Sequence, residues 1–170
     1  ITSNYLPKAR VLAHSVKRHD AQARFHLLLS DVPPPGFDLS AEPFDSVLGL
    51  EDLGIPDVRR WAFKHALVEM CTAVKGPGAL EIVRRHRPEK LFYFDPDIVV
   101  FGGLDALGRE LDENAVLLTP HLTDPEPTRR GVLDNEISAL KHGVYNLGFI
   151  GLRCDGEGLR CLQWWAERLL

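Results

Sequence analysis

The sequence predicts an α/β layer fold with a mostly parallel central sheet. Short apolar runs alternate with amphipathic stretches along the whole chain, the pattern of strands joined by crossover helices. The run Lys90–Phe94 is unbroken apolar and aromatic after its first residue, as in a strand covered on both faces. At 170 residues and 45% hydrophobic content, the chain is the size of one domain and can bury a substantial core.

Residues 1–4 read as the end of a strand. Pro7 suits the first turn of a helix, where no N–H is needed, and Val11, Leu12, Ser15 and Val16 follow at helical spacing. Residues 24–29 form a short apolar run that ends at Ser30-Asp31, and Pro33, Pro34 and Pro35 open a loop. Residues 44–50 read as a second strand. Residues 56–74 predict one long helix with Trp61, Ala62, His65, Val68, Glu69 and Thr72 along one side. Gly76, Pro77 and Gly78 then read as a break, before a shorter helix over 79–87. Lys90–Phe94 is expected at the centre of the sheet, and residues 98–101 continue extended beyond it. A helix over 104–111, a strand over 115–119, a polar loop over 123–130, a strand over 145–152 and an amphipathic helix over 159–170 complete the series. The last pattern has no Gly or Pro to stop it and the first strand lacks its start. The expectation is therefore a single domain over 1–170, truncated at both ends.

Composition narrows the function. Lys plus Arg total 20 and Asp plus Glu 24, giving a net charge of −4. With no cation excess to neutralise a phosphate backbone, broad nucleic-acid binding is excluded. No apolar run approaches the ~20 residues that cross a bilayer, so no transmembrane segment is expected. Cys71, Cys154 and Cys161 are odd in number and lack metal-ligand spacing, which suits reduced thiols in a cytoplasmic protein.

Asp95-Pro96-Asp97 is the sharpest chemical feature. Proline restricts the residue before it to extended backbone, and residues two apart on an extended chain point to one face. Two carboxylates held this way repel, and a divalent cation with hard-oxygen preference, Mn²⁺ or Mg²⁺, relieves the repulsion, with diphosphate oxygens completing its shell. The bland alternative is a solvated turn built from ordinary turn formers. An Asp-x-Asp after a strand also occurs in haloacid-dehalogenase-type phosphatases, but those require a Gly-Thr-like pair next, and Ile98-Val99 stands here.

The segment from Lys90 to Phe101, KLFYFDPDIVVF, resembles the metal-binding segment of nucleotide-sugar-dependent glycosyltransferases with the GT-A fold. Three further segments agree in order. Thr2-Ser3-Asn4-Tyr5 and the following residues to Arg10 resemble the opening strand and helix that hold the nucleotide. Glu69 to Lys75 resembles the helix that carries a basic residue toward the donor. Gly143 to Gly151, with Asn146 and Gly148, resembles the strand bordering the donor sugar. The resemblance is to the family-eight type, that of glycogenin and lipopolysaccharide galactosyltransferases, and to bacterial proteins carrying such a domain.

The resemblance implies a GT-A Rossmann-like sandwich that transfers a sugar from a nucleoside-diphosphate donor, a UDP-sugar, to a carbohydrate or glycan acceptor with retention. Asp95 and Asp97 would hold the metal. Thr2, Asn4, Tyr5 and Asp31 would line the base and ribose, Lys75 would face the phosphates, and Asn146 and His121 would meet the sugar. Lys75 stands where many relatives have Arg, and the family's further metal ligand, often His, comes from a segment beyond those seen here.

Each residue has a plainer role beside this one. Tyr5 could be a hydrophobic staple at a helix start, Lys75 a complement to a helix dipole, and Asn146 structural glue in a buried strand. His121 could be solvated. Trp164 and Trp165 suit packing on the last helix, His14, His19 and His86 suit the surface, and the basic run from Arg84 to Arg87 suits a solvated helix end. Two other functions stay open: a non-catalytic nucleotide-sugar-binding or scaffolding domain, and a phosphotransferase using Asp95 as nucleophile.

Overall fold

The computed structural model describes residues 1–170 and contains no cis peptide bond. A 3-10 turn over Ser3–Tyr5 runs directly into α1 (Leu6–His19), with Pro7 in its first turn as the sequence predicts. Leu6, Ala9, Leu12, Ala13 and Val16 are buried along one face. Full burial of a leucine such as Leu6 or Leu12 is worth about 1.5–3 kcal/mol. This face packs on β1 (His26–Leu28) and on Phe44, and β1 pairs in parallel with β2 (Ser46–Leu48) in the register His26↔Ser46, Leu27↔Val47, Leu28↔Leu48. A bidentate pair from Arg10 to Glu42, at 2.7 and 2.6 Å, ties α1 to the intervening loop.

The single long helix expected over 56–74 is two helices, α2 (Val58–Phe63) and α3 (Leu67–Ala73). The break has a local cause: the Glu69 carboxylate accepts from the Ala66 N–H at 2.9 Å, capping a new helix start, while His65 Nδ1 turns back to the Trp61 carbonyl at 2.9 Å. Trp61 is buried, but Val68 lies outside the core and is exposed. The expected break at Gly76-Pro77-Gly78 is absent. These residues lie buried inside α4 (Lys75–His86), where Pro77 falls in the first turn and needs no N–H partner. Their role is close approach: a Cβ on Gly76 would lie 2.9 Å from Ala166 Cα, and one on Gly78 2.6 Å from a Leu28 methyl.

β3 (Lys90–Phe94) is followed by α5 (Asp105–Glu113), β4 (Val116–Pro120), a helical stretch of α6 (Arg129–Gly131), a π-turn (Val132–Glu136) and α7 (Ile137–His142), then β5 (Tyr145–Arg153) and α8 (Gly156–Leu169). Residues 98–101 form no strand. The three strands make an antiparallel sheet in the order β3-β5-β4. This corrects two expectations: the sheet is not mostly parallel, and β5 rather than β3 is central. β3 sits at the edge of this sheet and is half-buried throughout. Apolar content measures cover on the faces of a strand, and here α4 and the aromatic contacts Phe92–Phe149 and Phe94–Phe149 supply part of it without a strand on both sides.

Trp165 packs against the cluster around Ile150, Leu152 and Leu162, whereas Trp164 is exposed. Arg84 and Arg85 are held by Glu81 and Asp52 at the surface, as the solvated-helix-end reading predicts, and hydrogen bonding from Arg84 leads in holding the Glu81 carboxyl down at about 2. The three cysteines are free thiols. No helix is long and apolar enough to cross a membrane.

His26 gives the fold a pH dependence. Burial, then the charge of His86 stacked on it at 4.4 Å, lowers its pKa from 6.5 to about 4. A depressed histidine is neutral in the fold, so the unfolded chain binds more protons between those values, and stability falls as pH drops from 6.5 toward 4. Because the ring is about half exposed, the effect is discounted to about 1–2 kcal/mol. Urea denaturation across this range should show a shallower pH slope for His26→Gln than for the parent chain. Equal slopes would remove His26 as the cause.

Candidate active site

The end of β3, the start of α4 and an irregular stretch of β5 converge on Asp95. Its N–H donates to the Gly148 carbonyl at 2.8 Å, and its own carbonyl accepts from Ile98 N–H at 3.1 Å, closing the turn through Pro96 and Asp97. Asp95 Oδ1 accepts from Lys75 Nζ at 2.9 Å and from the Tyr93 hydroxyl at 2.5 Å. Lys75 also donates to the Leu147 carbonyl at 3.3 Å and lies 4.8 Å over the Tyr93 ring. The helix that begins at Lys75 thus aims its first side chain at the carboxylate, and Lys75 is 11% exposed against 34% for Asp95. Burial, with the hydrogen bond to Asp95, pushes the Tyr93 phenol pKa far up, so it stays a donor.

β5 is irregular where it meets this cluster. Its pairing with β4 jumps from Leu118↔Ile150 to Thr119↔Asn146, so Leu147, Gly148 and Phe149 face no β4 residue. Such irregularities re-aim backbone groups, and here the freed Leu147 carbonyl serves Lys75. The Asn146 side-chain oxygen accepts from Gly148 N–H at 2.7 Å. A Cβ on Gly148 would lie 2.8 Å from that oxygen and 3.6 Å from Asp95 Oδ2, so glycine lets Asn146 and Asp95 share one corner.

The second half of the site is the chain's beginning. Ser3 N–H and hydroxyl both donate to Asp31, at 2.9 and 2.8 Å, and the Thr2 hydroxyl donates to the Asn4 side chain. Thr2 is buried, while Asn4 and Tyr5 are exposed, with Lys8 Nζ 4.6 Å from the Tyr5 ring centre. The Ile1 ammonium is lowered in pKa first by burial. Ile1 lines one cleft together with Lys75, Tyr93 and Pro96, which brings the opening turn near the Asp95 cluster.

Of the residues singled out in the sequence, Lys75, Asp95 and Asn146 come together, as do Thr2 with Asn4 and Asp31 with the opening turn. Asp97 is exposed on the turn without a partner, and His121 is exposed after β4, its N–H bonded to Val144 O at 3.0 Å. Ser3 and Tyr93 escaped the sequence reading. Tyr93 was legible, because it lies two residues before Asp95 on an extended strand and so shares its face.

The donor set fits a hard divalent cation in part. Asp95 Oδ2 has no protein partner and Asp97 supplies a second carboxylate on the same turn, but no group of three or more ligating side chains forms.

No protein-family model matches the chain, and no curated protein matches it by sequence. Solved structures do. The galactosyltransferase LgtC in complex with donor and acceptor sugar analogs matches over 99% of this chain with a TM-score of 0.56 at 18% identity. An active-site mutant of LgtC matches over 99% with a TM-score of 0.55 at 17% identity. The chain spans 63% and 62% of the length of those two proteins. At these identities the likeness is one of fold, and it establishes that the chain folds as a GT-A glycosyltransferase does.

Proposed function

We propose that residues 1–170 form the donor-binding domain of a metal-dependent glycosyltransferase, which transfers a sugar from a UDP-sugar to a glycan acceptor with retention, in a reducing cytoplasm. One observation carries the reading: a GT-A fold over the whole chain coincides with an Asp-Pro-Asp turn at the end of β3, facing Lys75 and Asn146. The LgtC complex holds donor and acceptor sugar analogs, which supports this donor and acceptor class.

In this reading Asp95 Oδ2 and Asp97 hold Mn²⁺ or Mg²⁺, which when bound offsets the charge that develops on the leaving diphosphate. The chain's own residues prepare the place. Lys75 and Tyr93 fix Asp95 through Oδ1, so its other oxygen is aimed before any ligand arrives. Lys75 adds positive charge beside the phosphates. Thr2, Asn4, Tyr5 and Asp31 line the base and ribose, the ring of Tyr5 offering a stacking face. Asn146 turns its amide to the sugar, and His121 approaches it from the end of β4, whose backbone is joined to the start of β5.

The test is calorimetric titration of nucleoside diphosphates with and without Mn²⁺. UDP affinity should rise at least tenfold with the metal. Failure of every nucleoside diphosphate to bind under either condition would sink the proposal. A second reading, a binding domain without catalysis, is favoured by the engagement of Asp95 Oδ1 by Lys75 and Tyr93 and by the presence of only two carboxylates. Hydrolysis of UDP-sugar by this chain in Mn²⁺ would decide against it.

A further inference from the structure

We propose that the cleft between β1 and β3 is a slot for one extended strand, running parallel to β1 and joined through its C-terminal end to Ile1, which would fuse the two small sheets into one. The partner it fits is a short segment of the full polypeptide leading into Ile1, apolar on both faces.

Main-chain geometry carries the argument. Phe25 and Leu29 direct backbone groups toward β2, through Phe25 O to Asp45 N–H and Leu29 N–H to Leu48 O. By the alternation of a strand, His26, Leu28 and Ser30 face the opposite edge. Ile1 already meets that edge: its nitrogen donates to Leu28 O at 2.8 Å, and its carbonyl accepts from Ser30 N–H at 2.7 Å. A residue that donates to position j−1 and accepts from j+1 makes one step of a parallel ladder. Continuing that ladder, the residue two before Ile1 donates to His26 O and accepts from Leu28 N–H. On the far side, Asp95 N–H to Gly148 O and Cys154 N–H to Glu89 O show that Glu89, Leu91, Tyr93 and Asp95 face β5. Lys90, Phe92 and Phe94 therefore turn their backbone to the cleft. β1 and β3 belong to different sheets and share no hydrogen bond.

The shape and chemistry of the cleft agree. Its volume is about 660 Å³, and both edges line it. Ala9, Leu12 and Val16 of α1 and Ala79 and Ile82 of α4 also line it. Leu27 packs with the α1 cluster and Leu28 against Gly78 of α4, so the two helices cover opposite faces of the layer. A strand between them is buried on both faces and must be apolar on both. The core is accordingly split into separate clusters on either side of the gap. The chain exposes 10836 Å², whereas a folded monomer of 19.1 kDa exposes roughly 8,400 Å². The buried Ile1 ammonium, lowered in pKa by desolvation, would become a neutral amide on the ladder. The donor site is separate, touching the cleft only through Ile1, Lys75, Tyr93 and Pro96.

The experiment adds five designed residues, Val-Val-Ile-Val-Val, ahead of Ile1. Three comparators are the parent chain, the parent acetylated at Ile1, and an extension with proline two residues before Ile1, which removes the donor to His26 O. Amide hydrogen exchange and sedimentation are read on all four. The apolar extension should slow exchange at Leu28 and at Phe92 at least tenfold, in a monomer, with a raised urea midpoint. The proline extension and acetylation should each give under a third of that gain. Equal protection from acetylation or from the proline extension would overturn the proposal. So would no protection at Phe92, or a parent dimer in which Leu28 and Phe92 are already protected by a second copy.

Discussion

Replacing Gly158 by Ala should lower stability by about 3 kcal/mol or more, the upper end of what overpacking costs. Gly158 is buried in the first turn of α8. A Cβ there would overlap the Arg153 carbonyl and lie 2.7 Å from the Ala115 carbonyl oxygen. Both obstacles are backbone, one at the end of β5 and one just before β4, and Arg153 N–H is bonded to that same Ala115 oxygen at 3.0 Å. No side-chain rotamer can relieve the overlap, so α8 must move off the sheet, taking Leu162 and Ala166 from the core. Helix propensity works the other way, favouring Ala by about 1 kcal/mol, and is too small to compensate. Gly108→Ala isolates that smaller term. Gly108 lies inside α5 with nothing within 4 Å of a Cβ, so this change should stabilise by about 0.5–1 kcal/mol. Urea midpoints of the two variants should move in opposite directions, and a shared direction would show that close approach at Gly158 is not what fixes α8.

Gly158 also shows why the sequence was only partly legible. Elements whose cause lies within them could be read: α1 from its apolar spacing and Pro7, β1 from its bounded apolar run, β5 and α8 from their period. What failed depends on partners distant in sequence. Gly76 and Gly78 carry the composition of a turn, yet they are helical because Ala166 and Leu28 press against them. The break at Ala66 hangs on one carboxylate, Glu69, in a pattern without the Ser or Thr that marks a capping box. A continuous apolar run favours a parallel strand but does not choose its partner, so the antiparallel pairing of β3 with β5 was not foreseen. The helical stretch Arg129 to His142 passed unread, although Leu133, Ile137 and Leu140 stand at spacings of four and three. In the site, Asp95 and Asn146 were legible by chemistry. Their meeting depends on Gly148 and on a register jump that no local pattern records.

The two carboxylates of the turn should separate stability from binding. Asp97 is exposed and has no partner, so Asp97→Ala should leave the urea midpoint within about 0.5 kcal/mol of the parent. It removes one of the two carboxylates proposed to hold the metal, so on that proposal Mn²⁺-dependent UDP affinity should fall about tenfold or more. Asp95→Ala should damage both. It deletes the other proposed ligand and strands Lys75, which is 11% exposed and keeps only the Leu147 carbonyl at 3.3 Å and the face of the Tyr93 ring at 4.8 Å. Breaking a fully buried pair costs about 3–5 kcal/mol, and the partial exposure of Asp95 reduces this to about 1–3 kcal/mol. Tyr93 loses its acceptor as well, leaving a half-buried hydroxyl unsatisfied. The pairing of Asp95→Ala with Lys75→Met supplies the control. The double variant removes the stranded charge and should recover much of the stability, yet metal-dependent binding should stay lost, because the carboxylate is still missing and the cation proposed to face the phosphates has gone with it. Binding that returned with stability would mean that Asp95 only supports the fold. Full Mn²⁺ dependence in the Asp97 variant would remove Asp97 from the metal site and leave Asp95 Oδ2 as the only carboxylate of the turn that could hold the ion.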